Sequence, residues 1–160
     1  MAEPERRAVA VRDVEFGQRV TIVEPVNLYG CRIGDDVFIG PFVEIQKGAV
    51  IGSGTRVQSH SFVCELVEIG RDCIVAHGVV FINDTFSGGG PARGDRTKWR
   101  STRVGNNVSI GSNATILPVN ICDRTVIGAG AVVTKDIDTP GVYAGNPARL
   151  IRVLPDGGPR

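Results

Sequence analysis

Aromatic residues are scarce in this chain: 160 residues hold six Phe, two Tyr and one Trp, alongside a single Met. A core must therefore be built mainly from aliphatic side chains. An excess of either charge is also lacking, since 18 Lys and Arg face 17 Asp and Glu. That balance offers no basic field for nucleic acid or for an anionic membrane surface. No apolar run approaches the roughly 18 residues of a membrane-spanning helix, and the opening MAEPERRAVAVRDVEFG carries nothing like a secretory signal. The expectation is a cytoplasmic protein with neither nucleic-acid nor membrane partners. Four cysteines, Cys31, Cys64, Cys73 and Cys122, form no CxxC pair and read as reduced thiols. Histidine is rarer still, with only His60 and His77. Two histidines fall short of the three that a zinc centre of the γ-carbonic-anhydrase type needs, so no metal is expected.

Glycine, by contrast, is abundant at 21 residues, and it is spaced. Read in sixes from Ile33, every first position is apolar: Ile33, Ile39, Ile45, Ile51, Val57, Val63, Ile69, Val75 and Phe81. Four residues after each of the first eight stands a small or β-branched residue, namely Val37, Val43, Ala49, Thr55, Ser61, Val67, Cys73 and Val79. A helical period of 3.6 would scatter these positions, and strand alternation would not skip in sixes. The pattern predicts a β-helix in which each hexad supplies one strand and one corner, and three hexads close a triangular coil. Residues eighteen apart should then stack at about 4.8 Å. The period resumes at Val104, Ile110 and Ile116, slips by one to Ile121, Ile127 and Val133, and extends upstream through Val14, Val20 and Val26. Eighteen hexads make six coils, a column of about 29 Å.

One domain is expected, spanning 13–154. Residues 1–12 and 155–160 fit no repeat and are expected to be mobile. The period fails between Phe81 and Val104, which marks a projecting loop over 84–103 containing Arg93, Arg96, Lys98, Trp99, Arg100 and Arg103. Loops of this length serve a function or are tolerated surface insertions. The basic residues would suit an anionic ligand. Stacking by eighteens puts Lys47, Glu65 and Asn83 in one column with Gln46 beside it, either a substrate groove or a solvated salt-bridge ladder. Asn83 and Asp84 stand where the coil gives way to the loop, either as functional groups or as a turn start with Asp84 capping it.

After Val133, the run VIGAGAVVTKDI followed by GNPAR resembles the coenzyme A end of the hexapeptide-repeat acyltransferases. This resemblance implies the left-handed form of the β-helix, an exception to the right-handed rule for parallel crossovers. It also implies acetyl-CoA as cosubstrate, with pantetheine lying along the column and the nucleotide near the last coils. On the residues themselves, small Ala129, Gly130 and Ala131 would admit a thin ligand arm, and Lys135 and Arg149 would meet phosphates.

The segments VNLYGCRIG, IGPFVEIQKGAVIG, VQSHSF and HGVVFIND resemble one branch in particular, the N-acetyltransferases of nucleotide-linked amino sugars. The resemblance implies acylation of a UDP-linked 3-amino uronic acid for surface polysaccharide, by a homotrimer with active sites between subunits. In the resembling sequences the Asn of FIND takes part in catalysis, which carries to Asn83. Transfer from a thioester to an amine needs a proton acceptor and a donor for the developing oxyanion. His77 is the candidate base, with the departing thiolate of coenzyme A as the other proton acceptor. His60 and Gln58 then read as substrate contacts, together with Gln46, Lys47, Glu65 and Asp84. Two alternatives stand: an acceptor such as a dTDP-linked 3-amino-deoxyhexose or another small amine or alcohol, and a β-helix with no enzymatic role. Where the resembling sequences read ILPGV and a regular hexad, this chain reads ILPVNIC, one residue short near Pro118.

Overall fold

The computed structural model describes residues 3–5, 8 and 10–154. Among them, short strands fall in turn on three sheets, so that up to the last turn each strand pairs in parallel with the third one along. The result is an all-β parallel solenoid, consistent with the left-handed helix. One face carries seven strands, so the column has about seven turns, one more than the hexad count gives. The first strand, Val11–Arg12, already pairs with Asn27–Tyr29, and the column thus begins before position 13. The tail 155–160, together with residues 1, 2, 6, 7 and 9, lies outside the described residues.

The hexad works because both of its apolar positions point inward. Ile39, Ile45, Val57, Val63, Val75 and Phe81 are each 0% exposed, and the small positions Val37, Val43, Ala49 and Val79 fill the space beside them. Where the small position is a hydroxyl, it closes a corner: Thr55 donates to the Gly70 carbonyl at 2.8 Å and Ser61 to that of Ala76 at 2.8 Å. The hydroxyls are buried without loss because each is bonded. Glycine after the large apolar residue is a steric requirement, since a Cβ on Gly52 would come within 2.5 Å of the Gly70 backbone in the next turn.

Register is not uniform along the column. Ile33, Ile51 and Ile69 stack in steps of 18, whereas Phe16 stacks on Ile33 and Val104 on Ile121 in steps of 17. Upstream, Phe16, Ile22 and Leu28 rather than Val14, Val20 and Val26 are in register with Ile33, Ile39 and Ile45, although in the first turn Phe16 is still 43% exposed and only Leu28 is fully buried. Those valines take the small positions, and both kinds are aliphatic, so the hexad pattern alone does not tell them apart. Between Ile69 and Val104 the step is 35, which is where the loop enters. It runs from 82 to 101, since Thr102–Val104 is already a strand paired with Val67–Ile69. Arg103 therefore belongs to the column, where its guanidinium lies 3.6 Å from the Glu68 carboxylate, and not to the loop. The one-residue slip is absorbed in the corner between the strands Thr115–Ile116 and Asn120–Ile121. At the top, Gly141–Ala144 and Arg149–Val153 form an antiparallel hairpin whose turn is the GNPAR segment.

Candidate active site

The loop leaves the column after Val80–Phe81, whose fully buried Phe81 ring fixes the exit point. Half-buried Asn83 is the clasp there. Its Nδ2 donates to the Glu65 carbonyl at 3.2 Å, and its own carbonyl accepts from the Arg100 N–H at 3.0 Å, so both ends of the loop are tied to one residue. The Glu65 carboxylate, 16% exposed, is ion-paired with Arg96 of the loop. Arg96 also lies 5.8 Å from the centre of the Trp99 ring. Asp84 organises the loop from inside: its two oxygens accept from the N–H groups of Phe86 at 2.9 Å and Ala92 at 2.7 Å. This is the capping role that competed with substrate contact.

Below Asn83 the polar side chains continue as a ladder. Gln46 Oε1 accepts from the Glu65 N–H at 3.4 Å, while its Nε2 donates to Glu44 at 2.9 Å. The other Glu44 oxygen accepts from Asn27 Nδ2 at 3.0 Å. Tyr29 stands beside them, its phenol pushed up by burial and further by the Glu44 carboxylate. The column Lys47, Glu65, Asn83 is in register as expected. Its ion pair, however, joins Glu65 to Arg96, while exposed Lys47 lays its stem over Gly30. Asn27 and Glu44 escape a count by eighteens because they stack in a step of 17. Tyr29 carries no periodic signal at all.

The histidines occupy the corner at the other end of this face, His77 ahead of Val80–Phe81 and His60 one turn below, ahead of Phe62–Val63. His77 Nδ1 lies 2.8 Å from Ser59 Oγ, and where it donates there, Nε2 keeps its lone pair for a proton. His60 stacks on Phe42 with ring centres 4.8 Å apart, and Gln58 is half-buried beside it. His77 and Asn83 are thus separated by a whole strand, roughly 15–20 Å of extended chain. A single chain does not bring these two candidates to one reacting atom.

At the C-terminal end, Lys135 and Arg149 do converge. They line one groove of about 310 Å3 with Thr134, Asp136, Tyr143 and Ala148. The Asn120 backbone and side-chain amides hold the Asp136 carboxyl below its usual range and anchor this wall. Ala129 is exposed, but Ala131 is 0% exposed and packs in the core. Its N–H and carbonyl are taken by Gly128 and Thr115, so Ala131 has no free group for a cofactor. Among the described residues, no three His, Cys, Asp or Glu side chains form a metal-binding group, and no helix is long and apolar enough to cross a membrane.

Comparison with known proteins agrees with this architecture. Residues 30–65 match the family described as bacterial transferase hexapeptide (six repeats), and residues 101–135 the hexapeptide repeat of succinyl-transferase. Hexapeptide repeats of transferases thus match on either side of the loop. Among curated proteins, it is 31% identical over 167 residues to the bifunctional protein GlmU of Acidithiobacillus ferrooxidans, covering 88% of this chain and 36% of that one. With GlmU of Listeria monocytogenes it shares 30% over 140 residues, 76% of this chain and 28% of the relative. The chain thus spans about a third of the length of the curated relatives it matches. Among solved structures, AntD, an N-acyltransferase from Bacillus cereus in complex with dTDP and coenzyme A, superposes with a TM-score of 0.77 at 24% identity, covering 91% of this chain and 86% of that one. A maltose O-acetyltransferase from Clostridium difficile superposes at 0.55 and 25% identity, covering 88% and 71%.

Proposed function

We propose that this chain is an acetyl-CoA-dependent N-acetyltransferase that acts on the amino group of a nucleotide-linked amino sugar, with a UDP-linked 3-amino uronic acid as the favoured acceptor. The observation that carries this reading is the loop root: a half-buried Asn83 amide fixed at the top of a polar ladder. One Asn83 N–H is held by Glu65, leaving the second N–H and the amide oxygen for a ligand. In acyl transfer, a donor in this position stabilises the negative charge that develops on the thioester oxygen as the neutral amine attacks. Arg96, tied to Glu65, keeps that amide oriented through the loop. Lys135 and Arg149 would hold the phosphates of coenzyme A at the far end of the column, where they share a groove. Coenzyme A supplies the activated acyl group. The proton from the amine goes to His77 Nε2 of a neighbouring copy or to the departing thiolate. Because His77 and Asn83 lie at opposite ends of one strand, a shared site calls for an assembly, for which a homotrimer in the cytoplasm is our reading.

Likeness to AntD, solved with dTDP, favours a second acceptor, a dTDP-linked 3-amino-deoxyhexose. Thiol release from acetyl-CoA, measured with a panel of UDP- and dTDP-linked amino sugars, separates the two. Release with none of them, nor with simple amines and alcohols, would refute the enzymatic reading.

A further inference from the structure

The corner that bears His60 holds a feature that folding does not account for. Phe42 is 58% exposed, so its ring adds little to the core, and its φ of 61° lies in the left-handed region that favours glycine. In the same corner column His60 repeats the anomaly at φ 64°, whereas Gly78 stands there one turn on and Asn113 the turn after. Two aromatic rings are thus held, against backbone preference, in a stack facing solvent at 4.8 Å. Phe42 also walls a groove of about 380 Å3 with Pro25, Val26, Val43, Asn27 and Glu44. Its polar end is incompletely used: the Glu44 carboxylate accepts from Asn27 and Gln46, yet has about four lone-pair sites, and Asn27 retains a second N–H. An exposed π-face beside an acceptor and a donor fits a planar heterocycle bearing an N–H next to a carbonyl.

We propose that this groove is a nucleobase subsite: the base stacks on Phe42, its ring N–H donates to Glu44, and its adjacent carbonyl accepts from Asn27. That pattern selects uracil, thymine or guanine. Adenine, which has no carbonyl and presents a ring acceptor in place of the N–H, is excluded. The subsite rests on the nucleotide-sugar reading above and says which part of the acceptor each residue reads.

The test uses UDP, dTDP, GDP and ADP as probes in isothermal titration calorimetry on the full chain. At least one of the first three should bind the wild type ten times more tightly than ADP. Phe42→Gly removes the ring while relieving the backbone, so it should keep or raise the thermal midpoint, weaken the bound nucleotide about tenfold, and leave coenzyme A binding unchanged. Glu44→Gln should erase the preference over ADP. Equal binding of ADP, or undiminished binding in Phe42→Gly, would overturn the subsite. Dissociation of the assembly in Phe42→Gly, seen by sedimentation, would overturn it in favour of a contact between copies. Acetyl transfer to a nucleotide-free amine with no nucleotide bound would overturn the subsite and leave the acyltransferase reading standing, whereas nucleotide binding of the expected pattern without any acetyl transfer would do the reverse.

Discussion

Replacing Asn83 by Ala separates chemistry from architecture, because the two effects have different sizes. The structural loss is one neutral hydrogen bond, Nδ2 to the Glu65 carbonyl at 3.2 Å, in a half-buried position. Such a bond contributes about 0.5–1.5 kcal/mol, and for a chain of this length each kcal/mol moves the thermal midpoint by about 2–4 °C. The backbone bond from Arg100 to the Asn83 carbonyl survives the substitution, so the loop stays tied. The catalytic loss should be larger, since a donor aimed at developing oxyanion charge is worth about 10²–10³ in turnover. Thiol release at saturating substrates, beside a calorimetric scan of the same sample, measures both. Asn83→Asp preserves size but sets a carboxylate against the Glu65 carbonyl, and should lose activity and stability together. Turnover in Asn83→Ala within threefold of wild type, or a fall fully explained by the unfolded fraction, would refute the role given to the amide.

Three further outcomes are expected. Lys135→Ala and Arg149→Ala should each raise KM for acetyl-CoA about tenfold, an effect that shrinks as salt is added because both groups are exposed, while KM for the acceptor stays constant. Steady-state kinetics at two ionic strengths checks this, and an unchanged KM for acetyl-CoA would detach the groove from coenzyme A. The thiols offer a pH test. Burial pushes Cys31 up to about 11 and Cys64 to about 12, so both are neutral in the fold where an unfolded thiol would ionise. The stability this contributes is present in full below the ordinary thiol range and is lost as pH rises from about 9 through those values. At pH 8 a thiol reagent should modify half-buried Cys122 while Cys31, Cys64 and Cys73 react only on unfolding, and rapid modification of all four in the native chain would contradict the buried core.

The solenoid was legible from Ile33 to Phe81 because each hexad contributes one inward apolar residue whatever the rest of the chain does. Lys135 and Arg149 lie fourteen residues apart in sequence, and only the terminal hairpin puts them on one groove. Ala131 looked like a lining residue because small size signals both a ligand path and a tight core, and here it is the core. Asn27 was invisible, as its partner Glu44 stacks on it through a coil of 17 residues and a count by eighteens lands on Val26 instead, and Tyr29 stands outside the repeat altogether.

By itself, the sequence determined that the chain winds as a parallel β-helix with an aliphatic interior, and that its regularity breaks at the loop and at the C-terminal segment. A local repeat suffices for this, since each hexad buries its own residues against the turns above and below. Only the tertiary structure decided which polar residues meet. Turn lengths of 17, 18 and 35 residues accumulate along the column, so whether Glu44 faces Asn27, or Glu65 faces Arg96, depends on every corner in between. A corner absorbs a one-residue change while the strands stay in register, but the change alters which outward residue stacks on which, and that is where the polar ladder, the aromatic corner and the loop clasp reside.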